Sequence, residues 1–88
     1  MTERTGTDLA AAAEGATLLD VRGLLCPLPV LKARKAISRI APGARLLIEA
    51  TDPMAAIDVP HFCAENGHRL VASDKDGSLL RFVVERGR

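Results

Sequence analysis

The chain has 88 residues and a formal net charge of +1; 48% of its residues are hydrophobic and 26% are charged. This length allows one small domain, and this balance is typical of a folded globular protein rather than a disordered chain. The sequence contains no tryptophan or tyrosine and only two phenylalanines, so it offers no aromatic platform for unpaired bases, and direct nucleic-acid binding is not expected.

No apolar run approaches the ~20 residues that cross a bilayer, so no membrane association is expected. The first residues include Glu3, Arg4 and Asp8 and lack the basic flank and apolar core of a signal peptide. A cytoplasmic location is therefore expected, where Cys26 and Cys63 stay reduced. A disulfide between these two cysteines is the alternative.

Residues 1–16 are small, polar and rich in alanine, and we expect them to form a flexible leader before a single domain at residues 17–88. The domain begins with a predicted strand at residues 17–21. Gly23 permits a tight turn after this strand.

A helix is predicted over residues 30–40, because apolar residues recur there at helical spacing. The predicted buried stripe consists of Val30, Ala33, Ile37 and Ile40. Pro42 and Gly43 follow at once and should end the helix.

The second half alternates between strand and helix patterns. Its predicted elements are a strand at 44–50, a short turn at 53–57, a helix at 58–66, and strands at 68–74 and 78–85. The helix is predicted to start with Asp58 because Pro60 interrupts the preceding segment. Asp76-Gly77 is a strong signal for a hairpin between the last two strands.

The resulting order, β-α-β-α-β-β, predicts an α/β protein. We expect a two-layer α/β sandwich, with a four-stranded mixed sheet and two helices on one face. The first two strands are separated by a helix and can form a right-handed parallel crossover.

The segment between the first strand and the first helix carries the clearest chemical signal. It consists of Arg22-Gly23-Leu24-Leu25-Cys26-Pro27-Leu28-Pro29. A residue before proline favours extended dihedrals, which an N-cap residue also uses, and proline is favoured at the first helical position. Cys26 is therefore predicted at the N-cap, with the Leu28 amide as the capping donor to its sulfur. Leu28 also precedes a proline, so a helix that begins at Pro29 is the alternative.

A thiol at a helix N-terminus or beside basic groups titrates at ~3.5–7.5 instead of ~8.5. Arg22, Lys32 and Arg34 are close in sequence, so Cys26 is predicted to be an accessible nucleophile with a lowered pKa. Many free cysteines are instead buried as small apolar side chains, and the residues alone leave both interpretations open.

Other cysteine chemistries have less support. No Cys-x-x-Cys pair occurs, which disfavours dithiol exchange. A cysteine protease would need His61 or His68 as its base, and nothing in the local sequence recruits either. These two histidines, Cys26 and Cys63 match no usual metal-ligand spacing, so no metal and no cofactor is expected.

Residues 21–48 contain six basic residues and no acid. Five of these basic residues are candidates for partner docking. Arg22 precedes Cys26, and the other four follow it: Lys32, Arg34, Lys35 and Arg39. Such a run of charge is often only a solvated helix face, and that interpretation also stays open.

The segment from Gly23 to Pro29 resembles the Cys-Pro-x-Pro motif of the TusA/SirA/YedF family of small sulfur-carrier proteins, and the resemblance covers about residues 17–86. The other segments that carry it are Leu19-Asp20-Val21-Arg22-Gly23, Pro42-Gly43, Asp52-Pro53 and Asp58-Val59-Pro60-His61-Phe62-Cys63.

The resemblance implies the same sandwich and a catalytic role for Cys26, with Gly23, Pro27, Leu28 and Pro29 as motif residues at the helix start. It implies that Cys26 accepts a sulfane sulfur as a persulfide from a cysteine desulfurase or a rhodanese-type protein. An acceptor protein then takes the sulfur for tRNA 2-thiolation, molybdenum-cofactor maturation or sulfur oxidation. Such a sulfurtransferase acts as a carrier rather than as a stand-alone enzyme.

Under this resemblance the basic residues form a docking surface for acidic partners. Cys63 matches a common family position, and its apolar neighbour Phe62 favours a structural role over a secondary sulfur-accepting one.

Two other functions are compatible with the residues. One is a non-enzymatic regulatory module that binds a partner or structured RNA through the basic surface at residues 22–45. The other is a redox-sensing thiol at Cys26. Persulfide loading would favour the carrier, indifference to Cys26→Ser the module, and reversible sulfenic acid formation the sensor.

Overall fold

The computed structural model describes residues 9–88. Its elements are β1 (Thr17–Val21), α1 (Leu28–Ile37), β2 (Arg45–Ala50), α2 (Ala55–Asn66), β3 (Arg69–Asp76) and β4 (Leu79–Glu85). The strand order is β1-β2-β4-β3, with β1 parallel to β2 and the other neighbours antiparallel. The predicted α/β order and the mixed four-stranded sheet are confirmed. Across residues 9–88, no helix is long and apolar enough to cross a membrane.

The main core lies between the sheet and both helices. Because side chains alternate along a strand, every second residue of the two central strands points to this layer. These residues are Leu46, Ile48 and Ala50 of β2 and Leu80, Phe82 and Val84 of β4. From the helices, Ala33, Ile37, Val59 and Phe62 pack onto them. Most of the predicted buried stripe of the first helix therefore belongs to the core.

Residues 9–12 are helical and lie on the opposite face of the sheet. Leu9 and Ala12 are buried there against Val83. The Arg45 guanidinium also donates a 3.1 Å hydrogen bond to the Ala12 carbonyl. This packing was not expected from the sequence of the predicted leader, and residues 1–8 of that leader lie outside the described residues.

The start of α2 and the end of α1 differ from the predicted boundaries. The prediction that α2 begins at Asp58 is wrong, because the helix starts at Ala55 and continues through Pro60. A proline at this position removes one helical hydrogen bond, the one to the carbonyl of Ala56. Ala56 is exposed, so water can reach that end of the helix. Helix α1 ends at Ile37, short of the predicted Ile40. The amides of Arg39 and Ile40 make tighter i→i−3 bonds there, such as Arg39 N–H to the Ala36 carbonyl at 3.0 Å.

Candidate functional site

The loop between β1 and α1 places Cys26 at one end of the sheet. After β1 the chain turns through Gly23, whose φ of +81° lies in the left-handed region that favours glycine. The Gly23 amide donates a 2.8 Å hydrogen bond to the Thr51 hydroxyl, just beyond the end of β2. Parallel strands end at the same edge of a sheet, so the loops that follow β1 and β2 meet here.

Cys26 is exposed and carries a free thiol. Its predicted accessibility is therefore confirmed, and its interpretation as a buried apolar residue is wrong. The predicted position at the N-cap is also wrong: Pro27 is the N-cap and the Cys26–Pro27 peptide bond is cis. The Leu28 amide donates to the Leu25 carbonyl at 2.8 Å instead of to the sulfur.

The other motif residues have different roles at the start of α1. The helix begins at Leu28, one residue before the alternative start at Pro29. Pro29 is buried, whereas Pro27 and Leu28 are exposed beside the thiol. Pro27 still supports the helix, since its carbonyl accepts the Leu31 amide at 3.1 Å.

Two carboxylates from the second half of the chain complete the surroundings of Cys26. Asp52 is 8% exposed, and its Oδ2 accepts the Cys26 amide at 2.6 Å. Asp58, on the first turns of α2, is the carboxylate with the largest effect on the pKa of the thiol. Sequence reasoning missed both acids, because it considered only charges close to Cys26 along the chain. The parallel arrangement of β1 and β2 was the signal that could have indicated Asp52.

These acids reverse the predicted electrostatics of the thiol. The Asp58 hydrogen bond, partial desolvation and the negative charges of Asp58 and Asp52 raise the pKa of Cys26 above its ordinary value. All of these effects stabilise the protonated thiol relative to the thiolate. The prediction of a lowered pKa is wrong. At neutral pH the resting protein therefore carries a thiol, not a thiolate.

The five predicted docking residues do not form one surface. Arg22 pairs with Asp20 at 2.8 Å, an exposed ion pair that lowers the pKa of Asp20 to about 2. Arg34 instead crosses to α2, where its guanidinium lies 5.3 Å from the centre of the Phe62 ring. It also donates a 3.4 Å hydrogen bond to Asn66.

The remaining three, Lys32, Lys35 and Arg39, line a groove of about 210 Å³ together with Leu19 and Ala36. The basic run at residues 22–45 is thus distributed over several surfaces. Its last member, Arg45, lies on the opposite face of the sheet and pairs with Glu85 at 3.1 Å.

The surface next to the thiol is apolar rather than basic. Large hydrophobic side chains are exposed on the Cys26 loop and on the starts of both helices: Leu25, Leu28, Leu31, Met54 and Ile57. The two segments meet at Asp52, which accepts the amides of Cys26 and Met54, and adjoining exposed apolar side chains indicate a binding surface. Of these five residues, only Leu28 was predicted from the sequence to belong to the site.

A larger cavity of about 360 Å³ lies behind Thr51, between the start of α2 and the β3–β4 turn. Its lining consists of Thr51, Pro53, Ala56, Lys75, Gly77, Ser78 and Leu80. One lining residue, Thr51, also contacts the Cys26 loop, because its hydroxyl accepts the Gly23 amide.

Cys63 and the two histidines do not belong to the Cys26 site. Cys63 is a free thiol that is 2% exposed, and burial raises its pKa to about 11. His61 lies 3.2 Å from Glu65 on the surface of α2, and the Nδ1 of His68 accepts the Gly87 amide at 3.0 Å. Among residues 9–88, no three metal-binding side chains converge.

Comparison with known proteins supports the family resemblance. A family model described as Sulfurtransferase TusA matches residues 17–86. The fold is also similar to the crystal structure of a SirA-like protein from Desulfitobacterium hafniense, with a TM-score of 0.67 at 18% sequence identity. That similarity covers 82% of this chain and 99% of the other. The matched region contains the Cys26 loop as well as Asp52 and Asp58, and the chain belongs to the TusA sulfurtransferase family, whose members have a general role as sulfur carriers.

Proposed function

We propose that the protein carries a sulfane sulfur as a persulfide on Cys26 and relays it from a donor protein to an acceptor protein. The observation that carries this proposal is the exposed thiol of the Cys-Pro-Leu-Pro segment at an open end of the sheet. A carrier needs a thiol that two different partners can reach in turn, and an enclosed pocket would hinder this exchange.

In the loading step, the Cys26 sulfur attacks the terminal sulfur of the donor's cysteine persulfide. A new S–S bond forms on Cys26 while the S–S bond of the donor breaks. The donor cysteine leaves as a thiolate and receives the proton that Cys26 gives up. Sulfur is exchanged between two cysteines without net oxidation or reduction.

Because the resting thiol is protonated, this proton must leave as the sulfur attacks. Of the carboxylates near the thiol, Asp58 has the largest effect on its pKa, so we assign it the role of first proton acceptor. The unloading step is the reverse reaction, in which an acceptor thiolate attacks the terminal sulfur of the Cys26 persulfide.

The partners are a cysteine desulfurase or a rhodanese-type protein as donor, and a downstream protein as acceptor. Both dock on the exposed apolar side chains around Cys26, and basic side chains steer their approach. Of the five basic candidates, Lys32, Lys35 and Arg39 are the best suited, because Arg22 and Arg34 have partners within the protein. We place this relay in the cytoplasm, where free thiols are maintained.

The redox-sensing alternative uses the same thiol, and reversible sulfenic acid formation at Cys26 under mild peroxide would distinguish it from the carrier. The separation of Arg22, Arg34 and Arg45 onto different surfaces disfavours a module that binds RNA through one continuous basic surface.

The test is incubation with a cysteine desulfurase and cysteine, followed by intact-mass and peptide mass spectrometry. We expect the mass of one sulfur atom on the peptide that contains Cys26, removed by dithiothreitol. The Cys26→Ser variant keeps Cys63 and should gain nothing. Absence of loading in the wild type, or equal loading of Cys26→Ser, would refute the proposal.

A further inference from the structure

The groove between α1 and the edge strand β1 combines positive charge with an apolar floor. Lys32, Lys35 and Arg39 are spaced three and four residues apart, so they lie along one side of the helix. Leu19 of β1 and Ala36 of α1 lie between them. None of the ion pairs between the residues that the structure describes includes these three cations.

The groove leads to the thiol. Strand β1 pairs with β2 on one side only, so its other edge has no strand beside it within residues 9–88. The Cys26 loop connects β1 to α1 and lies at one end of the groove. Lys32, the lining residue nearest the loop, follows Leu28 by four residues, or about 6 Å along the helix axis, so a segment that extends from this end of the groove runs towards the thiol.

We propose that this groove binds an extended acidic segment of the partner protein, with one apolar side chain inserted over Leu19 and Ala36. Bound in this way, the segment brings the partner's cysteine to Cys26. The inference rests on the proposed function and deepens it, since it identifies the chemistry by which a partner is recognised.

Three properties favour a peptide over other ligands. The two apolar lining residues, Leu19 and Ala36, suit an aliphatic side chain of a peptide. No aromatic side chain lines the groove for base stacking. Its volume of about 210 Å³ is below the ~300–1,000 Å³ of sites that enclose a small molecule or cofactor.

The binding test uses fluorescence polarisation with a labelled peptide of sequence Glu-Glu-Leu-Glu-Glu-Gly-Gly-Cys. Two control peptides replace either the leucine by serine or the glutamates by glutamines. We expect the parent peptide to bind most tightly and to weaken with added salt, because exposed charge pairs are screened. Equal binding of all three peptides would overturn the proposal.

The matched protein variants are Lys32→Glu with Lys35→Glu, and Arg69→Glu with Arg88→Glu. Both pairs change the net charge equally, but Arg69 and Arg88 are exposed residues outside the groove. We expect the groove variant to lose about tenfold or more in peptide affinity, and the control variant to change less than about twofold. Equal losses would show that only net charge matters and would overturn the proposal. If the groove variant does not fold by circular dichroism, Lys32→Gln with Lys35→Gln serves instead.

A single-stranded RNA oligonucleotide provides the competing ligand. The proposal would be overturned in favour of a nucleic-acid site if this RNA bound more tightly than the parent peptide and if its binding were lost in the groove variant.

Sulfur transfer separates this inference from the proposed function. Glutathione persulfide is small and does not need the groove, so it should load Cys26 equally in the wild type and in the groove variant. The parent peptide in its cysteine-persulfide form should load the groove variant more slowly. If glutathione persulfide does not load the wild type, the carrier function is refuted. If the peptide persulfide loads the groove variant as fast as the wild type, only the docking site is refuted.

Discussion

The backbone amide of Cys26 donates a 2.6 Å hydrogen bond to Oδ2 of Asp52, a residue that follows β2 rather than β1. The other carboxylate oxygen, Oδ1, accepts the Met54 amide at 3.1 Å. One nearly buried side chain thus connects the thiol loop to the start of α2. The position of the reactive sulfur depends on this tertiary contact as well as on the local proline-rich sequence.

Replacing Asp52 by alanine should destabilise the protein by roughly 2–4 kcal/mol, because two amides lose a charged acceptor. Asp52→Asn retains one acceptor oxygen and should lose less. Urea denaturation followed by circular dichroism measures both, and amide hydrogen exchange at Cys26 should accelerate in the alanine variant. The exposed Glu14 provides the control, and a loss in Glu14→Ala equal to that in Asp52→Ala would contradict the assignment.

Asp58→Asn should make the thiol more acidic, because it removes the largest of the effects that raise the pKa of Cys26. At pH 7.5 the rate of alkylation by iodoacetamide should increase, about tenfold for each unit by which the pKa falls. The pH–rate profile of the wild type should have its midpoint above the ~8.5 of free cysteine. Glu65→Gln on the same helix is the control, and an unchanged profile in Asp58→Asn would rule out action of this carboxylate on the thiol.

The buried Cys63 thiol should make the protein sensitive to alkali. Burial raises its pKa from 9.0 to about 11, so in this interval the unfolded state loses the thiol proton first. Stability from this group is therefore complete below pH 9 and falls as the pH rises towards 11, by of order 2 kcal/mol. The sequence contains no tyrosine, which removes one other group that titrates in this range.

The comparison uses urea denaturation of Cys26→Ser with and without Cys63→Ala. The alanine variant is less stable at neutral pH because it creates a cavity, but its stability should decline less between pH 9 and 11. Parallel curves for the two proteins would mean that Cys63 does not titrate differently on folding.

Gly23→Ala should cost about 1–2 kcal/mol, because its φ of +81° is unfavourable for a residue with a β-carbon. Space is not the cause, since no atom lies within 4 Å of the position that a β-carbon would occupy. Gly23→Asn is the matched control and should lose less, because asparagine tolerates this region better. An asparagine variant as unstable as the alanine one would point to lost loop contacts rather than strain.

Local sequence patterns were sufficient to predict most of the architecture. The apolar run of β1, the helical spacing from Ala33 to Ile37 and the Asp76-Gly77 signal each depend on near neighbours in the chain, so they could be recognised without tertiary information. Pro60 was misinterpreted because a proline inside a helix costs little only when the freed carbonyl can be solvated, and exposure is not visible in sequence.

The site was less predictable for the same reason. The acids that control Cys26 lie 26 and 32 positions further along the chain, whereas two of the basic residues near it in sequence have other partners. Arg22 binds Asp20 and Arg34 contacts Phe62, and neither pairing follows from residue spacing. Proximity in sequence therefore predicted the wrong sign for the electrostatic effect on the thiol.

The direction of the strands also determines where the protein can be labelled. Cys26 lies where β1 and β2 end, whereas the Arg86 amide bonds to Ala44 before the start of β2. Six residues of β2 separate these two ends, a length of about 20 Å. A dye or surface anchor attached at Arg86 would therefore leave the thiol facing solution, and immobilised protein should remain able to meet its partners.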